Sequence, residues 1–61
     1  MNRLEMIPKY NILVNGKHIE TNVIGWRTAL AHARKYLTNL FEENYVEILT
    51  LHTGEIEHIS A

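Results

Sequence analysis

The dipeptide Asn15-Gly16 is the feature that most restricts what this chain can fold into. It lies between two segments whose side chains alternate as they do in β-strands, residues 9–14 and 17–23. Asn-Gly is typical of a type I′ turn because both central residues of that turn have a positive φ. The sequence therefore predicts a β-hairpin over residues 9–23.

A two-residue turn also predicts which residues of this hairpin lie opposite one another. It pairs Leu13 with His18 and Ile12 with Ile19, and the pairing continues in step along both strands. The side chains expected on the inner face, against the core, are Tyr10, Ile12, Val14, Ile19 and Val23. Those expected on the other face are Asn11, Leu13, His18 and Glu20.

Residues 26–43 are predicted to form a helix. The segment contains neither Pro nor Gly, and strong helix formers dominate its first half. Gly25 is the expected cap, and the small side chains of Ala29 and Ala33 would let the helix approach a sheet closely. Apolar side chains recur at spacings of three and four and form one stripe. The stripe consists of Trp26, Leu30, Ala33, Leu37, Leu40 and Phe41.

A second hairpin is predicted over residues 45–59, around Thr53-Gly54. A two-residue turn would pair Leu49 with His58, whereas a three-residue loop with a bulge would pair Ile48 with His58. A slip of one residue exchanges the two faces of a strand, so the choice decides which side chains meet the core. Both registers leave large aliphatic side chains on both faces.

Together these elements predict one small α+β domain over residues 1–61, in the order ββαββ. One helix packs on a four-stranded sheet built from two β-hairpins, and residues 1–8 form an extended arm before it. The order of the hairpins within the sheet is left open. A single helix covers only one face of such a sheet, so we expect an apolar patch outside the core, and such patches usually mark interaction sites.

The layout is similar to that of many very small ββαββ proteins of bacteria and their phages. The turn at Asn15-Gly16, the helical residues 29–37 and the turn residues 53–56 carry the likeness. Many such proteins are inhibitors or regulators that act by binding, so the resemblance implies a binding role. The likeness is one of architecture and assigns no functional residue.

The charge of the chain is strongly polarised. Residues 1–35 carry six cationic and two acidic side chains, a formal charge of +4, whereas residues 36–61 carry five Glu and no Lys or Arg, a formal charge of −5. The total of −1 hides this separation. Charge distribution acts on encounter and association rather than on the fold, so the pattern favours a role in binding.

Composition excludes several other classes of protein. The chain has no Cys, which excludes disulfides and thiolate metal sites. Its apolar runs are far too short to cross a bilayer, which takes about 20 residues. Residues 1–6 have one basic residue, Arg3, but carry Glu5 where a signal peptide would have its apolar stretch. We expect a cytoplasmic protein.

The sequence offers no pattern for a metal site or a catalytic centre. His52 and His58, the closest pair of the four His residues, are six residues apart across the predicted turn, and neither register places them side by side on one face, whereas a zinc site needs three or four converging ligands. There is no Asp and no Cys, and no Ser or Thr stands near a recognisable His and acid. We therefore expect no metal, no cofactor and no enzymatic activity.

Nucleic-acid binding is the alternative function. Arg27 and Arg34 lie two turns apart on one flank of the predicted helix, with Lys35 further round, and no acidic residue lies three or four positions away within the helix. Against this, the pI of about 6.4 is well below that of most nucleic-acid-binding domains, which exceed about 9.

The sequence is best interpreted as that of a small non-enzymatic protein-binding module. We expect a homodimer that acts as an inhibitor or regulator of the phage or plasmid type by binding a host protein. The contact surface is predicted on the second hairpin, with basic helix residues as its electrostatic counterpart. The hairpin residues are Leu49, Leu51, Glu55, Glu57 and Ile59, and the helix residues are Arg27, Arg34 and Lys35.

Overall fold

A computed structural model describes residues 7–37 and 44–60. Its elements are β1 (Lys9–Val14), β2 (Lys17–Ile24), α1 (Trp26–Leu37), β3 (Val46–Thr50) and β4 (Ile56–Ile59). The strands form one antiparallel sheet in the order β2-β1-β3-β4, and α1 packs on one face of it. The predicted ββαββ architecture is confirmed. The order of the hairpins in the sheet, which the sequence left open, is defined by the pairing of β1 with β3.

The first turn has the predicted conformation. The φ angles of Asn15 and Gly16 are 53° and 85°, and the pairing of Leu13 with His18 is as expected. Asn15 also joins the two hairpins, because its N–H donates to the carbonyl oxygen of Tyr45 (2.8 Å) and its Oδ1 accepts from the N–H of Tyr45 (2.9 Å). The turn residue therefore helps to align β1 with the start of β3.

Further from the turn, the predicted register of the first hairpin is wrong. Ile12 lies opposite Glu20 rather than Ile19, and Tyr10 lies opposite Val23. Each of these two shifts adds one residue to β2, which is the effect of a β-bulge. The first shift exchanges the faces, so Ile19 is 47% exposed and Glu20 turns towards the helix. The second restores the expected alternation, and Val23 packs against the core as predicted.

The second irregularity has a local cause in two Asn residues. Asn22 has a φ of 57°, a conformation that Asn tolerates better than most side chains. The Oδ1 of Asn11, on the neighbouring strand, accepts a hydrogen bond from the N–H of Asn22 (3.0 Å). The amide of Asn11 thus satisfies a backbone donor at the place where the register shifts.

The second hairpin adopts neither predicted register. Leu49 lies opposite Ile56, and residues 51–54 form a four-residue loop. The loop is closed by two hydrogen bonds to Thr50, whose N–H donates to the carbonyl of Glu55 (2.8 Å) and whose carbonyl accepts from Gly54 (2.7 Å). Gly54 has a φ of 80°, which explains why Gly is suited to this position.

The faces of the second hairpin nevertheless agree with the two-residue prediction. The observed register differs from that prediction by two residues, and a shift of two leaves the faces unchanged. Ile48 and Ile59 therefore lie on the helix side of the sheet, and Leu49 lies on the other side.

The helix begins as predicted, after a glycine. The carbonyl of Gly25 accepts the N–H of Ala29 (3.0 Å), which makes Gly25 the N-terminal cap. Gly25 has a φ of 91°, in the left-handed region that Gly adopts more readily than other residues. The helix begins at the next residue, Trp26. Ala29 and Ala33 are fully buried against the sheet. The predicted helical residues 38–43, with Leu40 and Phe41, lie outside the described residues.

The core lies between α1 and the helix side of the sheet. Its largest fully buried side chains are Ile12, Ile48 and Val46. The ring of Tyr10 meets Trp26 edge to face, with 5.5 Å between the ring centroids. This is a small apolar core, and it uses only one face of the sheet.

Candidate protein-binding surface

The outer face of the sheet, the side away from α1, carries a continuous set of side chains from all four strands. Side chains alternate along a strand, so the partners of Leu13 and Leu49 in the ladders share this face. One row runs from His18 through Leu13 and Glu47 to His58, and the next runs through Asn11 and Leu49 to Ile56.

The outer face carries several apolar side chains beside the polar Glu47 and Asn11. Leu13 is only 9% exposed although it lies outside the cluster beneath the helix, whereas Ile56 on the edge strand is 56% exposed. Tyr45 stacks on His58 with ring centroids 4.3 Å apart and an interplanar angle of 15°, and it too is exposed. Leu51, at the start of the following loop, is a further exposed apolar side chain. The expected apolar patch outside the core is present.

The β2 side of this face is polar and ordered by hydrogen bonds. Asn11 Nδ2 lies 3.1 Å from His18 Nδ1. Because Asn11 Oδ1 accepts from Asn22, its Nδ2 is the group that donates to the imidazole. His18 Nδ1 is therefore an acceptor, and this bond requires a neutral ring with its proton on Nε2.

The two edges of the sheet differ. The edge strand β2 has two register shifts, and bulges of this kind hinder pairing with another chain. The edge strand β4 pairs with β3 without any shift. Since Thr50 and Glu55 form a hydrogen-bonded pair, the alternation of an antiparallel ladder turns the backbone groups of Ile56 and His58 outward. β4 therefore offers a regular edge.

Acidic side chains follow the β4 edge on its helix side. Glu57 lies opposite Ile48 and so shares its side of the sheet, and Glu55 precedes it by two residues. Both are exposed. Within residues 7–37 and 44–60, neither forms an ion pair with a Lys or Arg. The described residues therefore leave the negative charge of this edge without a Lys or Arg partner.

A polar cluster joins β2 to the helix, and the sequence did not reveal it. Glu20 Oε2 accepts a hydrogen bond from the hydroxyl of Tyr36 (2.5 Å), and Glu20 Oε1 lies 2.8 Å from His32 Nδ1. The bond from Tyr36, and next that from His32, holds the pKa of Glu20 below its usual value. The same bond raises the pKa of Tyr36, because a phenolate would face the carboxylate.

The cluster orients an imidazole, as catalytic sites also do. An ionised carboxylate only accepts hydrogen bonds, so the proton of His32 lies on Nδ1. A base of this kind needs a nucleophile or a metal beside it. In the part of the chain that the structure describes, no three His, Cys, Asp or Glu side chains converge as metal ligands. The two hydrogen bonds of Glu20 connect β2 to α1.

The structure divides the predicted contact residues among several places. Leu49 and Leu51 belong to the outer face and its border, and Glu55 and Glu57 line the helix side of β4. Ile59 is only 6% exposed and belongs to the core, because it shares the side of Ile48; its assignment to a contact surface is corrected.

The basic residues of the predicted surface form a separate group. Arg27, Arg34 and Lys35 are exposed on α1, on the opposite side of the sheet from the outer face. No acidic residue occurs within α1. The basic side of the helix and the apolar outer face thus point in different directions.

No protein-family model, curated protein or solved structure matches the chain. Among the described residues, no helix has both the length and the apolar character needed to cross a membrane.

Proposed function

We propose that the chain is a small non-enzymatic protein-binding module that self-associates through the outer face of its sheet. The supporting observation is the apolar part of that face, where the exposed Ile56 of β4 lies opposite Leu49 of β3. Contiguous apolar surface of this kind usually marks an interaction site. In keeping with the small proteins of similar layout, we propose that it serves as an inhibitor or regulator of the phage or plasmid type by occupying a surface of a host protein.

A second copy of the chain is the proposed occupant of the outer face. Chains of about 60 residues bury a small core and often need a second copy for stability. Here that core has Ile12, Ile48 and Val46 as its largest fully buried side chains. Two outer faces packed about 10 Å apart would add a second apolar layer, as in a β-sandwich.

Sedimentation velocity over a wide range of protein concentration tests this proposal, with Ile56→Glu as the variant. We expect a wild-type dimer and a dissociation constant for Ile56→Glu weaker by about a hundredfold or more, because an unpaired carboxylate would be buried in the interface. Ala31→Glu is the control, since it introduces the same carboxylate at an exposed position of α1, on the opposite side of the sheet from the outer face. A wild-type chain that stays monomeric throughout would contradict self-association.

Nucleic-acid binding remains the second candidate, supported by the basic side of α1. Arg27, Arg34 and Lys35 are exposed there without an acidic neighbour in the helix. Retention on heparin and a steep loss of affinity for generic oligonucleotides with rising salt would favour this function. If the chain does not bind oligonucleotides even at low salt, the nucleic-acid-binding function is excluded.

A further inference from the structure

The regular edge of β4 indicates what kind of partner the chain binds. This inference rests on the proposed protein-binding function. The backbone groups of Ile56 and His58 face outward, and the β4 ladder has no bulge that would block an added strand. We propose that an extended segment of another protein adds to this edge as an antiparallel fifth strand, with Lys or Arg opposite Glu57.

The ladder geometry explains why the charge opposite Glu57 matters most. The backbone of Glu57 is directed towards β3, so a residue opposite it on an added strand forms a non-hydrogen-bonded pair. The Cα atoms of such a pair are about 4.5 Å apart, closer than in a hydrogen-bonded pair, and the side chains interact strongly. A cationic side chain at that place meets an exposed carboxylate with no ion-pair partner among the described residues.

The neighbouring positions extend the recognition pattern. A residue opposite Ile56 lies on the outer face, where Ile56 offers an exposed apolar side chain. The residue after it in the partner, opposite Glu55, returns to the acidic side. The partner sequence is therefore an alternation of basic and apolar residues, which places the cations on the helix side and the apolar side chains on the outer face.

The same geometry disfavours a second copy at this edge. In a two-fold antiparallel pairing of β4 with itself, residues on the same face must lie opposite each other. The register that uses the outward groups of both Ile56 and His58 sets Glu57 against Glu57 of the second copy, and like charges directly opposite are destabilising. The edge thus selects a basic strand from another protein, whereas self-association uses the outer face.

Two short blocked peptides test the inference, one of alternating lysine and valine and one of alternating glutamate and valine. We expect the lysine peptide to bind more tightly, and to slow amide hydrogen exchange at Ile56 and His58, whose N–H groups the added strand would engage. Equal affinity for the two peptides, or unchanged exchange at these amides in the presence of the lysine peptide, would overturn the inference.

A charge reversal on the protein provides the matched variant. Glu57→Lys should weaken binding of the lysine peptide by about tenfold and strengthen binding of the glutamate peptide, because the side chain at position 57 then repels the first peptide and attracts the second. The control is the double substitution Thr28→Lys with Ala31→Lys, which changes the net charge by the same two units at exposed positions of α1. If both variants change the affinity equally, only overall charge matters and the edge is not the site.

The outcome is separable from that of the proposed self-association. A chain that sediments as a monomer but protects the Ile56 and His58 amides with the lysine peptide would contradict the outer-face dimer and support the edge. A dimer whose β4 amides exchange at the same rate with the lysine peptide would overturn the edge inference alone.

Discussion

At the scale of single residues, Glu20 is the position where side-chain chemistry and fold depend on each other most. Its carboxylate accepts one hydrogen bond from the helix residue Tyr36 and one from His32. It reaches them only because the register shift next to Ile19 turns it inward. A polar side chain thus takes the place expected for an apolar one and connects an edge strand to the helix.

Replacing Glu20 should therefore destabilise the fold. Glu20→Gln keeps the shape but leaves one acceptor oxygen and no charge, so we expect a loss of about 1–2 kcal/mol in the free energy of unfolding, measured by urea denaturation near neutral pH. The control is Glu57→Gln, an exposed strand residue for which a change within about 0.5 kcal/mol is expected. Equal effects of the two variants would show that Glu20 forms no stabilising contact.

The contribution of Glu20 should also depend on pH in a defined way. Its pKa is lowered in the folded state, first by Tyr36 and then by His32, so its contribution is present above the unfolded pKa and is lost as pH falls through the folded value. The raised pKa of Tyr36 gives a contribution that is present below the unfolded value and is lost as pH rises through the folded one.

The difference in unfolding free energy between the wild-type chain and Glu20→Gln should thus shrink at both acid and alkaline ends. Urea denaturation across the pH range measures this difference. In a Tyr36→Phe background the alkaline decrease should disappear while the acid decrease remains. A difference that does not vary with pH would contradict the assignment of these hydrogen bonds.

At the scale of elements, the irregularity of β2 is the feature that sets the face of each residue. Asn22, with its φ of 57°, lies at the second register shift. Asn22→Val should cost about 1–2 kcal/mol, because a β-branched residue strongly disfavours a positive φ, whereas Asn22→Gly should remain close to wild type. Urea denaturation compares them, and Thr21→Val, without a positive φ, is the control. An Asn22→Val variant as stable as the wild type would show that the strand can adopt a regular register.

At the scale of the whole molecule, the two interaction surfaces are separated by the sheet itself. Arg34 is exposed on α1, and the outer face lies on the opposite side. A closed dimer buries the same patch on both subunits, so a dimer through the outer face leaves the basic helix outside the interface. The polarised charge of the chain is then available for partners other than a second copy.

This separation predicts how self-association responds to charge. Arg34→Glu should leave the dissociation constant of the dimer unchanged, and raising the salt concentration should not weaken it, because the proposed contacts are made by apolar side chains such as Leu49 and Ile56 and not by the basic helix residues. Sedimentation velocity at low and high salt measures both effects. A dimer that weakens in salt, and weakens again with Arg34→Glu, would place the basic helix residues in the interface, as the sequence alone suggested.

The sequence by itself determined the elements and their order. Asn15-Gly16 has a strong local preference for a type I′ turn, and the stripe along Trp26–Leu37 has a helical period, so both features could be predicted from neighbouring residues. The excess of aliphatic side chains over what one helix can cover likewise predicted an apolar outer face. These properties depend on short-range backbone preferences and on periodicity.

The tertiary structure alone decided the register, the strand order and the place of Glu20. A bulge reverses the alternation of a strand, and whether one forms depends on contacts with residues far along the chain, such as the bond from Asn22 to Asn11 and those from Tyr36 and His32 to Glu20. The four-residue loop after β3 and the pairing of β1 with β3 also depend on contacts between distant segments. The acidic β4 edge became recognisable as a candidate site only when the ladder showed which of its groups face outward.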